Sequence, residues 1–194
     1  MLSIRRLESR EIRERLDEIA DLRIRVFRDW PYLYDGDRAY EARYLAPYAD
    51  SPHAVVVGAF DADALVGAAT GTPMEDHAED FAAPLAALGL DPATVWYCAE
   101  SVLLPAYRGR GIYRTFFAER EAAGRALGRA WSMFCGVIRP VDHPLRPADH
   151  RPLDPIWQRY GYETQEGAVA TFPWRDIGET AETEKPMAVW LKRL

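Results

Sequence analysis

The 194-residue sequence has only two cysteines, no long apolar run and no excess of positive charge. Cys98 and Cys135 both lie inside apolar stretches, which favours buried thiols over a disulfide or a nucleophile. No apolar run approaches the roughly 20 residues that are needed to span a bilayer. The formal net charge is −6, and a partner such as nucleic acid or an anionic membrane requires a basic surface. We therefore predict no nucleic-acid partner and no membrane partner.

The composition is that of an ordinary globular protein, with 48% hydrophobic and 28% charged residues. A chain of this length suits one domain, and no linker or repeat divides residues 1–194. The first six residues, MLSIRR, lack the apolar core of a signal peptide. We therefore expect a single cytoplasmic domain.

A glycine pair at Gly109 and Gly111 stands between an apolar, strand-like stretch and a long helix-like stretch. Without side chains, the two glycines let successive backbone N–H groups turn toward one point, and the helix start adds its positive dipole end. This combination is typical of a pyrophosphate site. The pattern Gly-x-Gly-x-x-Gly of dinucleotide sites lacks its third glycine here, because position 114 is Arg114, and no Gly-Lys-Ser/Thr occurs. A purely structural turn and another phosphate ligand are the alternatives.

The periodicity around this pair predicts a strand over residues 95–104, a helix over 111–127 and a strand over 131–138. Such a unit is a right-handed crossover with two parallel strands, and it places the turn where ligands bind in open sheets. The other elements predicted nearer the N-terminus are helices over 10–30 and 37–48, a hairpin of strands 54–60 and 65–70, and an inserted helix or lid over 74–90.

The strand YCAESVLLP (97–105) followed by RGRG (108–111) resembles the cofactor motif of the GNAT acyltransferases. IWQRYGY (156–162) is similar to the helix in that family that ends in a Gly-aromatic pair. The resemblance implies an α/β (α+β) single domain with a mixed, mostly antiparallel sheet, a splayed parallel strand pair and flanking helices. It further implies an N-acetyltransferase that moves the acetyl group of acetyl-CoA, or another acyl group from acyl-CoA, directly to a primary amine of a small molecule or peptide, without a metal.

The resemblance also assigns the cofactor-binding residues. Backbone groups of Val102, Leu103 and Leu104 pair with pantetheine. The diphosphate takes backbone amides and guanidinium charge from Arg108, Gly109, Arg110, Gly111, Ile112 and Tyr113. Tyr113 stands where the family usually has Gly or Ala, and its ring either crowds the cofactor or packs away from it.

Glu100 is the predicted general base, because it follows an apolar strand and a desolvated carboxylate has a raised pKa. The alternative for Glu100 is a solvent-facing position or a structural ion pair with an arginine. The family's proton-donating tyrosine falls on Trp157, so Tyr160 is the candidate we name in its place, with Tyr107 and Tyr97 as weaker substitutes. Unassisted release of the thiolate is a further alternative.

The acceptor pocket is predicted from two segments. The proline-rich loop 139–152 contains two Asp-His pairs and three arginines, and Arg139, Arg146 or Arg151 is a candidate for binding an acceptor carboxylate or phosphate. A metal site at His143 and His150 has irregular ligand spacing and is the weaker interpretation. The substrate-binding candidates of the two segments are Trp30, Tyr32, Tyr34, Asp35, Arg139 and His143.

Two hypotheses of other classes remain at this stage. A non-catalytic acyl-CoA-binding or regulatory module fits Tyr113 and the missing tyrosine, and a nucleotide-binding domain would prefer ATP or NAD to CoA. The sequence does not identify the acceptor or the length of the acyl chain, and it leaves open whether the protein forms a homodimer.

Overall fold

The computed structural model describes all residues, Met1–Leu194, and arranges six helices around one eight-stranded sheet. The strands are β1 (Leu2–Arg6), β2 (Val55–Asp61), β3 (Ala64–Pro73), β4 (Val95–Tyr97), β5 (Ser101–Leu103), β6 (Trp131–Val137), β7 (Glu163–Trp174) and β8 (Thr183–Arg193). The helices are α1 (Ser9–Glu14), α2 (Leu16–Phe27), α3 (Arg38–Asp50), α4 (Ala82–Leu88), α5 (Ile112–Ala126) and α6 (Asp154–Arg159). None of these helices is both long and apolar enough to cross a membrane.

The sheet has the order β1-β2-β3-β4-β6-β8-β7, and β5 forms a second pair with β3. Every neighbouring pair is antiparallel except β4 and β6. Helix α5 connects these two strands, and a helical crossover is the connection that parallel strands require. The predicted fold class is confirmed: a mixed, mostly antiparallel sheet with one parallel pair and flanking helices.

The strand predicted over residues 95–104 is interrupted at residues 98–100. Before the interruption, β4 pairs with both β3 and β6. After it, β5 pairs with β3 alone, and the last backbone hydrogen bond toward β6 runs from Cys98 N to Met133 O at 2.8 Å. The second half of β6 pairs only with β8. Strands β5 and β6 therefore diverge, and we call residues 98–100 the strand break.

Arg120, on α5, binds the strand break from one face of the sheet. Its side chain is buried, with 1% of its surface exposed. One terminal nitrogen donates to the carbonyls of Glu100 (2.9 Å) and Thr70 (3.2 Å), and the other donates to Ser101 Oγ (2.8 Å). A buried guanidinium must be hydrogen-bonded, and here neutral acceptors satisfy it. Arg120 thus fixes the place where the strands separate.

Apolar residues fill both faces of the sheet and hold the helices in place. On one face, α2 and α3 contribute Ile19, Leu22 and Leu45 to the main core. On the other face, Ile112 and Phe116 of α5 pack with β2, β3 and β5. Two layers of helices therefore enclose the sheet, as the amphipathic spacing of these segments predicts.

One prediction about helices is wrong and another is confirmed. The helix expected over 10–30 is divided at Arg15 into α1 and α2. The inserted helix or lid expected over 74–90 is present as a helix, because a 3-10 turn there is followed by α4. Helix α4 packs on β7, and the buried side chains of Phe81 and Leu85 attach it to the core.

Candidate active site

A groove of about 850 Å³ opens between the diverging strands β5 and β6. Its walls are formed by the start of α5 on one side and by α6 on the other, and apolar side chains make up most of the lining. At one end lie Gly109 and Gly111, and the lining also includes Trp30 and Tyr32 of the segment after α2. The strand break, with Glu100, also lines the groove.

The turn at the first end presents unpaired backbone donors. Gly109 and Gly111 have φ values of 76° and 81°, a conformation that residues with a Cβ rarely adopt. The N–H groups of residues 109–114 have no acceptor within the chain, and no side chain caps α5. Fanned donors at the positive end of a 15-residue helix form a site for an anion such as a diphosphate.

Three exposed arginines, Arg108, Arg110 and Arg114, flank this turn. Arg108 Nε donates to the carbonyl of Leu103 at 3.3 Å, and the Arg110 guanidinium lies 5.2 Å from the ring centre of Tyr107. Neither arginine is paired with a carboxylate in these contacts. The positive charges of Arg108 and Arg110 can therefore strengthen binding of an anion.

The backbone of β5 offers its open side to the groove. Leu104 N donates to Val66 O and Thr70 N donates to Glu100 O, and hydrogen-bonded pairs alternate along an antiparallel ladder. The backbone N–H and C=O groups of Val102, which lies opposite Ala68, therefore also point toward β3. The prediction that Val102 and Leu104 pair with pantetheine is wrong, because Val102 pairs with β3, Leu104 N donates to β3, and Leu104 O accepts from Tyr107 N. Of the three predicted residues, Leu103 is the one whose backbone groups point to the open side, where Ser101 joins it.

Glu100 lines the groove and is buried, and both oxygens of its carboxylate have polar partners. Tyr44 donates its phenol to Glu100 Oε2 at 2.7 Å, and Arg23 Nη1 lies 2.8 Å from Oε1. Arg23 also pairs with the fully buried Glu41. The structural ion pair that the sequence left as an alternative is therefore present. One guanidinium faces two carboxylates, so this buried cluster carries an excess of negative charge. A role of Glu100 as a base remains a prediction.

The comparisons with known proteins identify this architecture. No family model and no curated protein sequence matches the chain. Solved structures do match: the PaiA N-acetyltransferase of Thermoplasma acidophilum in complex with coenzyme A has 12% identity and a TM-score of 0.57 over 100% of this chain and 99% of that chain. The ribosomal-protein-alanine N-acetyltransferase of Brucella melitensis has 14% identity and a TM-score of 0.63 over 99% of both chains. An aminoglycoside 6'-N-acetyltransferase complexed with coenzyme A has 18% identity and a TM-score of 0.62 over 98% of this chain and 96% of that chain.

The chain has the GNAT acetyltransferase fold. At these identities the likeness shows the fold, and a shared fold does not by itself give a shared activity. In this chain the groove opens where β5 and β6 diverge, and the unpaired donors lie at the start of α5.

Tyr113 packs along the wall of the groove in this GNAT fold. Its ring lies edge-on to Phe117 at 5.2 Å between ring centres, and its hydroxyl accepts a hydrogen bond from Trp157 Nε1 at 2.8 Å. This bond joins α5 to α6. Tyr160, the predicted proton donor, also lines the groove and contacts the rings of Phe117 and Tyr113. Burial raises the pKa of Tyr160, and its hydroxyl makes no hydrogen bond.

Of the four residues predicted to form the acceptor wall, Trp30 and Tyr32 line the groove. Tyr34 and Asp35 do not, and this prediction is wrong. Tyr34 is buried and forms a β-bridge with Asp176, while Asp35 pairs with Arg175 at 2.9 Å in a separate depression. The turn after α2 reverses the chain, so its two halves face different sides.

Arg139 lines the groove, but four of its five N–H donors are already used and its charge is paired with Asp176. It binds both carboxylate oxygens of Asp176 (2.5 and 2.9 Å) and the carbonyls of Pro31 (2.8 Å) and Tyr32 (2.6 Å). The prediction that Arg139 binds an acceptor is therefore wrong. It holds the segment that carries Trp30 and Tyr32 in place.

The two histidines of loop 139–152 both contact Trp30. The ring centre of His143 lies 5.1 Å from that of Trp30, and the ring centre of His150 lies 5.8 Å away. His150 lines the groove, whereas the predicted His143 does not. Nowhere does the structure gather three or more His, Cys, Asp or Glu side chains that could hold a metal ion.

Three residues of the site were not predicted from the sequence: Arg120, Arg23 and Tyr44. Arg120 interrupts the apolar face of α5 four residues after Phe116, and a charge at such a position is a signal of a buried role. Arg23 and Tyr44 carry no comparable local signal, because their partner Glu100 is 56 residues away from Tyr44 in the chain.

Proposed function

We propose that the protein is an N-acetyltransferase that moves the acetyl group of acetyl-CoA to a primary amine by direct transfer. The observation that carries this proposal is the row of unpaired N–H groups of residues 109–114 at the end of an apolar groove between diverging strands. Two of the structural neighbours carry bound coenzyme A, which supports the same ligand here.

Each part of the groove has a role in this proposal. The donors of residues 109–114 hold the diphosphate, and the open backbone groups of Ser101 and the N–H group of Leu103 orient the pantetheine arm. The thioester then lies at the strand break, where the amine attacks its carbonyl carbon. The amine nitrogen forms the new C–N bond, the C–S bond breaks, and Glu100 accepts the proton that nitrogen releases.

The charges of the groove favour an acceptor amine on an apolar or aromatic body. Besides Glu100, which is bound by Arg23 and Tyr44, Asp154 is the one carboxylate in the lining. A polycation would find few carboxylates to pair with in this groove. An aromatic amine could instead pack against Trp30 and Tyr32.

We therefore expect 2-phenylethylamine to be acetylated with a kcat/KM at least about tenfold above that of spermidine, since desolvating extra charges without partners is costly. The measurement is release of free CoA thiol from acetyl-CoA over a panel of aromatic amines, polyamines, aminoglycosides, amino acids and peptides. A clear preference for spermidine would contradict the prediction that the groove favours an amine on an apolar or aromatic body. Calorimetric binding of acetyl-CoA without thiol release from any amine would favour the non-catalytic binding module.

Cys135 lines the groove but does not fit a covalent intermediate. Burial raises the pKa of this thiol to about 12, so at neutral pH the group is the protonated, poorly nucleophilic thiol. We expect Cys135→Ala to retain kcat within about threefold, because direct transfer uses no enzyme nucleophile. Thiol-release kinetics test this, and mass spectrometry of the wild-type protein after acetyl-CoA alone is the control. A stable acetyl adduct on Cys135 would contradict direct transfer.

A further inference from the structure

We propose that Tyr113 donates a hydrogen bond to the sulfur of coenzyme A as the thiolate leaves, and that Trp157 directs the Tyr113 hydroxyl toward it. The inference rests on the proposed function, because it assigns a catalytic residue to that reaction.

Trp157 holds its indole N–H in a fixed direction. Its ring packs edge-on against Phe134 and Trp190, with ring centres 5.0 Å apart in both cases. Gly136 of β6 lies directly beneath the ring, since a Cβ at that position would come within 3.1 Å of the indole. The indole therefore has little freedom to rotate, and its N–H points across the groove to Tyr113.

The Tyr113 hydroxyl is left with one unused hydrogen. A phenol has one O–H donor and can accept hydrogen bonds at its oxygen. Trp157 donates to that oxygen at 2.8 Å, and no group of the chain accepts the Tyr113 hydrogen. Because Tyr113 lines the groove, the hydrogen is available to a group that lies in it.

The other phenols of this region lack that combination. Tyr44 donates to Glu100, and Tyr162 donates to Glu121. Tyr32 and Tyr160 line the groove, but no donor orients their hydroxyls. Tyr113 is thus the groove phenol whose hydroxyl is held by a fixed partner and still has a hydrogen to give.

The surroundings of Tyr113 keep its hydroxyl protonated, so that it can donate a hydrogen bond. Burial raises its pKa to about 12, although the Trp157 hydrogen bond and the positive charge of Arg120 act to lower it. Tyr113 and the strand break line the same groove, and the proposed reaction places the thioester there. A thiol has a pKa near 8.5, about three units lower, so the phenol stabilises the thiolate by a hydrogen bond and keeps its own proton.

The proton balance closes without a further reactant. The sulfur leaves with the electron pair of the C–S bond while Tyr113 donates to it. Glu100 takes one proton from the amine nitrogen, and the solvent returns one proton to the thiolate. Amine and thioester become amide and thiol.

The experiment compares four proteins with acetyl-CoA and the best amine of the panel. We expect Tyr113→Phe to lower kcat about a hundredfold and Trp157→Phe, which keeps a ring but loses the N–H, about tenfold. The matched control Tyr40→Phe removes a tyrosine hydroxyl that lies outside the groove and should stay within about threefold of wild type. In all three variants the Kd for CoA, measured by calorimetry, should stay within about threefold, because the effect is on the transition state.

The outcomes separate this inference from the proposed function. Wild-type protein without thiol release on any amine would overturn the proposed function, and this inference with it. Turnover by wild type together with an unimpaired Tyr113→Phe would overturn the inference alone. So would a Tyr113→Phe variant whose CoA affinity falls as far as its kcat, because that is the result of a purely structural contact.

Discussion

Replacement of Gly111 by Asp should weaken binding of CoA at least about a hundredfold. The new carboxylate would lie about 4 Å from the negatively charged diphosphate, and repulsion between two such charges near a protein surface amounts to about 4 kcal/mol. Gly111 is the N-cap of α5, with φ of 81°. A Cβ at this position meets no atom within 4 Å, so the new side chain causes no clash. The loss is measured by isothermal titration with CoA.

Gly111→Asn is the matched control for the charge of the new side chain. Asn and Asp have nearly the same shape, and both tolerate the left-handed conformation better than other residues. The Asn variant should therefore bind CoA at least about tenfold more tightly than the Asp variant, since it lacks the repulsion.

Gly128→Asp controls for net charge, because Gly128 has φ of 70° and equally open surroundings beyond the far end of α5. Equal affinities of the Asp and Asn variants at position 111 would contradict a diphosphate at this turn.

The second large effect is expected for Glu100→Gln, which should lower kcat about a hundredfold or more, since a general base contributes on this scale. Gln keeps an oxygen that can accept from Tyr44, but it cannot take the proton that the amine releases. Burial, followed by the charge of Glu100, raises the pKa of Tyr44 well above its usual value. Tyr44 therefore stays a donor and cannot replace the carboxylate as a base.

Glu41→Gln is the matched control within the same buried cluster. It removes the same charge from the same partner, Arg23, but Glu41 does not line the groove. Its melting temperature should change in parallel with that of Glu100→Gln, while its kcat should stay within about threefold of wild type. If both variants lose kcat equally, Glu100 is a structural ion pair and not the base.

The fold and the phosphate turn could be predicted because their signals are local. The glycine pair, the apolar periodicity of α5 and the strands on either side of it lie within about 40 residues, which matches the length of one crossover unit. Backbone chemistry also depends little on distant side chains. The turn at residues 109–114 therefore has the unpaired donors that its sequence suggests.

The side-chain roles were harder to predict, because they depend on contacts between distant segments. Arg139 binds Asp176, which is 37 residues away, and nothing in either segment indicates the pair. The splayed strand pair was implied by the family resemblance, but residues 95–104 are mostly apolar throughout, so their composition alone does not locate the strand break. Tyr113 and Trp157 each depart from the family pattern, and only the structure shows that their side chains meet.

Isothermal titration of the unmodified protein with acetyl-CoA and CoA tests the central claim most directly. If the N–H groups of residues 109–114 hold a diphosphate and the groove takes the pantetheine arm, both ligands bind with a Kd on the order of micromolar, as is usual for enzyme substrates. ATP and NAD should then compete poorly. Absence of heat with both CoA ligands, or stronger binding of ATP or NAD, would contradict the account.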